Sequence, residues 1–203
     1  MRSHVLPVAF TALSAALFLA PGLATAQTGT AHAGSRTHAA APRPALDDAT
    51  IVAIFDAANT ADIETGRLAA ERGRSSKVRE YGAMIARDHA TVRQQGRDLA
   101  AKLGVTPTPP ADDAGAKAHA QAMKELRALR GAAFDRAFLR HEATFHKNVI
   151  DAVTTTLLPA IGNAELKALV VKVAPAFQAH MLAAEQLERE LGSAQPQSPS
   201  RGD

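Results

Sequence analysis

Four residues stand where helical spacing calls for Leu or Val and carry groups that bind protons or metals instead: His89, Glu142, His146 and His180. Burying such groups unpaired costs about 1–3 kcal/mol each, so something must satisfy them. Three imidazoles and a carboxylate, with no thiolate, are ligands suited to Zn, Fe, Mn or Cu. Asp88 is then a partner that orients a ring N–H, and Glu64 and His141 are further polar residues of the same region. The metal-free counterpart is a structural polar layer, with the histidines bonded to one another, to Glu142 and Asp88, or to buried water. Glu-x-x-His on two helices plus a Glu on each of the others, the di-iron pattern of ferritin-like oxidases, is absent, which argues against ordinary ferroxidase chemistry.

Whether these groups can meet depends on the helices that hold them. The first runs from about Ala49 to Arg72, with Asp48 as N-cap and Ile51, Ile54, Phe55, Ala58, Ala61 and Leu68 as its apolar stripe. The second, about Ser76 to Leu103, repeats in steps of four and three through Val78, Gly82, Ile85, His89, Val92, Gly96, Leu99 and Leu103, the seam of a helix packed lengthwise. A shorter helix over Asp112 to Arg130 follows a Pro-rich stretch, and a third long one spans about Ala132 to Leu157. Asn163 caps the fourth long helix, whose stripe Leu166, Val170, Val173, Phe177, His180, Ala184, Leu187 and Leu191 contains a kink-inducing Pro175. No segment alternates as a strand does.

Four long amphipathic helices make an all-α four-helix bundle. Short links at Gly73 and at Pro159 to Asn163 create two antiparallel hairpins. The stretch from Gly104 to Gly131 is long enough to run back along the bundle as a crossover, which gives the ferritin-like up-down-down-up order. Up-down-up-down with a decorated loop is the alternative. At about 1.5 Å of rise per residue, His180 and Glu142 are level, His146 is one turn away, and His89 lies in the same mid-bundle layer. Glu64 is offset from His89 by roughly 10 Å along the axis. It is therefore expected outside the His89 shell, level with Gly82, in a salt bridge or buried hydrogen bond.

Ile63-Glu64-Thr65-Gly66-Arg67-Leu68-Ala69 and Val78-Arg79-Glu80-Tyr81-Gly82-Ala83-Met84-Ile85-Ala86-Arg87-Asp88-His89 resemble the opening of the exported bacterial family called domain of unknown function 4142. The likeness continues through Phe134-Asp135-Arg136-Ala137-Phe138 and His146, then Ala174-Pro175-Ala176-Phe177 and His180, and covers Asp48 to Leu191. Phe145 stands where that family usually has a polar or acidic residue. The resemblance implies a ferritin-like helical fold and export, often under the label of predicted outer-membrane protein, and no established reaction.

The ends of the chain read as address and tether. Arg2 and His4 lead into an apolar run from Val5 to Ala20, then Pro21-Gly22 and Ala24-Thr25-Ala26, the order of a secretory signal cleaved after residue 26. That run is shorter than the roughly 20 residues that span a bilayer. Residues 27–47 form a linker too poor in large apolar groups to fold, with His32 and His38 incidental to it. Residues 192–203 form a tail ending in Arg201-Gly202-Asp203, too short a match to indicate adhesion. Export to the periplasm, or otherwise to the medium, is expected, with no transmembrane segment after cleavage.

The 203 residues are 46% hydrophobic and 21% charged, enough for one domain with a core, and a net charge of +3 makes no case for nucleic acid as a partner. Without cysteine there is no disulfide, thiolate metal site, c-type haem or lipid-anchored signal. A b-type haem on His180 or His89 with Met84 or Met181 lacks a roomy pocket, hydrolase chemistry lacks a nucleophile turn, and the cations of helix 2 interleave with acids as a solvated face. Two readings follow: a non-enzymatic envelope module with a buried His/Glu layer, or a ferritin-like metal-binding or redox protein using that layer. No catalytic residue is assigned.

Overall fold

The computed structural model describes residues 46–193. The signal segment, most of the linker with His32 and His38, and the tail with Arg201-Gly202-Asp203 lie outside the described residues. Among those described, the chain is all-α: α1 (Asp48–Arg72), α2 (Ser76–Leu103), α3 (Ala114–Ala128), α4 (Gly131–Ala152), a π-helical turn at Val153–Leu157, the single turn α5 (Leu158–Ala160) and α6 (Ala164–Ser193).

Capping sets most boundaries. Asp47, not Asp48, caps α1, accepting from the Thr50 N–H at 2.8 Å. Asp48 turns outward from that task, and its carboxylate accepts from the N–H groups of Gly162 at 2.9 Å and Asn163 at 2.8 Å. The start of α1 is thereby tied to the start of α6. Asn163 caps α6 as expected, accepting from Glu165 and Leu166. Gly104 closes α2 in the left-handed conformation, at φ 65°. The third long helix ends earlier than its sequence suggests because the hydroxyls of Thr154 and Thr155 bond back to the carbonyls of Ile150 and Asp151, competing with the α-helical ladder. α6 runs unbroken through Pro175.

The hairpins α1/α2 and α4/α6 are the most extensive pairings, with α2 also against α6 and α1 against α4. At one end, the buried carboxylate of Asp135 near the start of α4 accepts from the Arg74 and Ser75 N–H groups in the α1/α2 turn, at 2.8 and 2.9 Å. At the other, Lys102 at the end of α2 pairs with Glu165 at the start of α6. Two apolar cores form near these ends. Val78, Tyr81, Ile85, Phe134, Phe138 and Leu139 lead the first, and Ile51, Val52, Ile161, Leu166 and Val170 the second. α6 is long and apolar enough to cross a membrane by length and composition. Its buried stripe, Leu166, Val170, Val173, Phe177, His180 and Ala184, packs inward as that of a core helix does.

Candidate metal centre

A polar layer separates the two apolar cores. Asn59, Asp62 and Thr65 from α1, His89 from α2, Glu142 and His146 from α4, and His180 from α6 are all buried. Its geometry begins with the close approach of α1 and α2. A Cβ on Gly66 would lie 2.6 Å from the Gly82 carbonyl oxygen, so the two backbones touch there. One turn before Gly66 on α1 and two turns after Gly82 on α2, Asp62 and His89 face each other, with His89 Nδ1 3.3 Å from Asp62 Oδ2.

The hydrogen bonds fix each ring. The Asn59 amide nitrogen donates to the Phe55 carbonyl at 2.8 Å, which leaves Asn59 Oδ1 facing His89 Nδ1 at 3.0 Å. An oxygen there requires a proton on His89 Nδ1, so His89 Nε2 is bare. His146 Nδ1 lies 2.9 Å from the Glu142 backbone carbonyl and donates to it, so its Nε2 is bare too. His180 Nε2 faces the half-exposed Asp88 carboxylate at 3.4 Å, which leaves Nδ1 as its inner nitrogen. The inner nitrogens converge: His89 Nε2 is 3.2 Å from His180 Nδ1 and 3.3 Å from His146 Nε2, with all three within 4.8 Å of one another. A tetrahedral ion with Zn–N bonds of about 2.0–2.1 Å has ligand edges of about 3.3 Å. Phe177 presses on the group, its ring centre 5.1 Å from that of His89 and 5.8 Å from that of His146.

Burial keeps the rings neutral. Desolvation, reinforced by the neighbouring rings, pushes His89 down to about 3. Desolvation likewise takes His146 down to about 4 and lowers His180 against the pull of Asp88. The carboxyls move the other way. Desolvation raises Glu142 to about 8, outweighing the pull of Thr65 and Asp62 beside it, and desolvation together with Glu142 raises Asp62 well above the usual carboxylate range.

Of the residues singled out in the sequence, His89, His146 and His180 meet at one point. Glu142 is fully buried beside them, but its carboxylate approaches the outer nitrogen of His146, at 3.7 Å, on the side away from that point. Asp88 reaches His180 rather than its neighbour His89. Glu64 stays out of the His89 shell, as the rise arithmetic requires. It does not reach Gly82, where Gly66 fills the space, and instead stands half-exposed with Oε2 2.9 Å from His119 Nε2. His141 is half-buried against Phe145, and desolvation with nearby His119 takes it down to about 4.

Sequence reasoning missed Asn59, Asp62 and Thr65 because it drew the α1 stripe through Ile54, Ala58 and Ala61. The signal was Gly66. Counting back four and then three from a seam glycine gives Asp62 and Asn59, in the same register that places His89 relative to Gly82.

Comparison with known proteins agrees with the fold. The family model described as Domain of unknown function (DUF4142) matches residues 33–187. Among solved structures the chain is similar to the crystal structure of a DUF305 fragment from Deinococcus radiodurans. That likeness has 19% identity, covers 71% of this chain and 95% of the other, and has a TM-score of 0.61. No curated protein matches the sequence.

Proposed function

The chain belongs to the DUF4142 family, a domain of unknown function, and from its own residues we propose that it binds a divalent transition metal through His89, His146 and His180. One observation carries this reading: every outer ring nitrogen faces an oxygen, so three inner nitrogens converge with no proton among them. In a metal-free polar layer, two bare nitrogens 3.3 Å apart repel each other. An imidazole set suits zinc and copper first. Asn59, the Glu142 carbonyl and Asp88 are the outer partners that orient such ligands. His89 and His146 are buried to within 1% of full burial, with His180 at 7%. That enclosure favours holding a metal over turning over a substrate, with His180 and Asp88 marking the side nearest solvent.

The arrangement supporting it is a ferritin-like four-helix bundle. The ends joined by Asp48, Asp135 and Lys102 have α1 and α6 starting together and α2 and α4 starting together at the opposite end. This supports an up-down-down-up order with α3 on the crossover. Export after cleavage behind Ala26, into the periplasm, is supported by the order of charge, apolar run and small residues.

Metal analysis and thermal melting of untagged protein test the reading, with and without chelator and beside His89→Ala. The expected result is one tightly held metal per chain, absent from the variant. Saturation at about 100 times Kd contributes about 2.7 kcal/mol, so chelation lowers Tm by roughly 5–10 °C. A chain without metal and indifferent to chelator would return the cluster to a structural polar layer.

A further inference from the structure

Behind the three rings, α1 and α4 bring two buried carboxyls together. Asp62 Oδ2 and both carboxyl oxygens of Glu142 lack a hydrogen-bond partner, although Asp62 is 1% exposed and Glu142 0%. The nearby donors are committed elsewhere. His89 Nδ1 donates to Asn59, His146 Nδ1 to the Glu142 backbone carbonyl, and the Thr65 hydroxyl to the carbonyls of Ala61 and Asp62. Two buried carboxyls so placed repel each other when ionised and need a proton or a cation between them.

We propose that Asp62 and Glu142 form a second cation position, one imidazole ring away from the three-histidine position, so that the centre is dinuclear. This rests on the metal-binding reading above. An oxygen from each of Asp62 and Glu142 lies within 4.8 Å of the other, so a small closure of the two side chains brings both onto one cation at metal–oxygen bonds of about 2.0–2.2 Å. His146 Nδ1, which keeps its proton for the Glu142 carbonyl, borders the position and is not a ligand. Carboxylate oxygens as the main ligands select a harder ion than the imidazoles do, of the Mn²⁺ class, so the two positions differ in preference. The rings of His89 and His146 stand between them: their inner nitrogens face the first position, while their outer edges lie 3.3 Å from Asp62 Oδ2 and 3.7 Å from Glu142 Oε2.

The test loads chelator-stripped full-length protein with Zn²⁺ and then Mn²⁺, counting each metal by elemental analysis and following Mn²⁺ by its electron paramagnetic resonance signal. Wild type should hold one Zn²⁺ and one Mn²⁺. Combining Asp62→Asn with Glu142→Gln should leave zinc in place and weaken Mn²⁺ at least tenfold, whereas His180→Ala should weaken zinc. If the double variant does not fold, judged by circular dichroism, Asp62→Asn alone carries the same expectation. A second zinc in wild type that is lost in these carboxyl variants supports the same conclusion. One zinc and no manganese in wild type would overturn the second position, leave a shared proton between the carboxyls, and keep the three-histidine reading. Manganese that survives both carboxyl variants overturns it as well. Failure to bind either metal removes both readings together.

Discussion

Asn59 decides the protonation of the residue on which the cluster turns. Its amide is anchored on the Phe55 carbonyl, so only its oxygen can face His89, and the proton on His89 Nδ1 follows. Removing that acceptor lets His89 carry its proton on the inner nitrogen, where it blocks a ligand position. Asn59→Leu, similar in size, should therefore weaken zinc binding about 10–100-fold, the usual cost of losing such a partner, as read by competition with a chromogenic chelator. The pH dependence of binding has its own sign. Because His89 and His146 take up protons only near 3 and 4, zinc should remain bound well below the value near 6.5 at which free imidazole protonates. Release near pH 6.5 would mean that the rings are solvated.

The helices position these groups through small residues and buried caps. Gly66 and Gly82 let α1 and α2 touch, which places Asp62 against His89. In Gly66→Ala the new methyl meets Gly82 backbone, which cannot rotate aside, so the hairpin must open. The expected cost is about 1–3 kcal/mol, measured by denaturant melting, together with weaker metal binding as Asp62 and His89 separate. Asp135 does a different task, joining the α1/α2 turn to α4 through two backbone N–H groups. Asp135→Ala leaves those groups without their acceptor, at about 1–3 kcal/mol. It should lower Tm while leaving zinc affinity nearly unchanged, because the change is confined to the end of the bundle.

Taken whole, the molecule carries opposed titrations in its polar layer. In the unfolded chain His takes up a proton near 6.5, whereas folded His89 and His146 refuse it until about 3 and 4, so these rings destabilise the fold as pH falls below 6.5. Glu142 is raised from 4.5 to about 8, so its contribution is fully present below about 4.5 and is lost as pH rises through 8. Between 4.5 and 6.5 the two oppose each other. Two rings outweigh one carboxyl there, so metal-free protein should melt highest near pH 6.5, with Tm falling toward pH 9 and falling also as pH drops below 6.5. Glu142→Gln, which keeps the shape and cannot ionise, should remove most of the alkaline fall. A flat Tm from pH 6 to 9 in the unmodified chain would mean that the carboxyl is not buried in solution.

Periodicity alone was enough to place the long helices, the Asn163 cap, the seam of α2 and the level of three histidines, because each depends on spacing along one helix. His89, His146 and His180 could be named from the positions they occupy in apolar stripes, and Glu64 could be excluded by counting rise. Asn59, Asp62 and Thr65 were hidden because α1 has a weakly patterned surface, and which of its faces is buried depends on where Gly82 of another helix comes to rest. The same holds for Glu142. Its burial was legible, but whether its carboxylate points at the histidine nitrogens or away from them depends on how α4 is rotated against α1. Tautomers, bare nitrogens and orphaned carboxyl oxygens arise between helices, from distances of about 3 Å that no spacing along a single chain encodes.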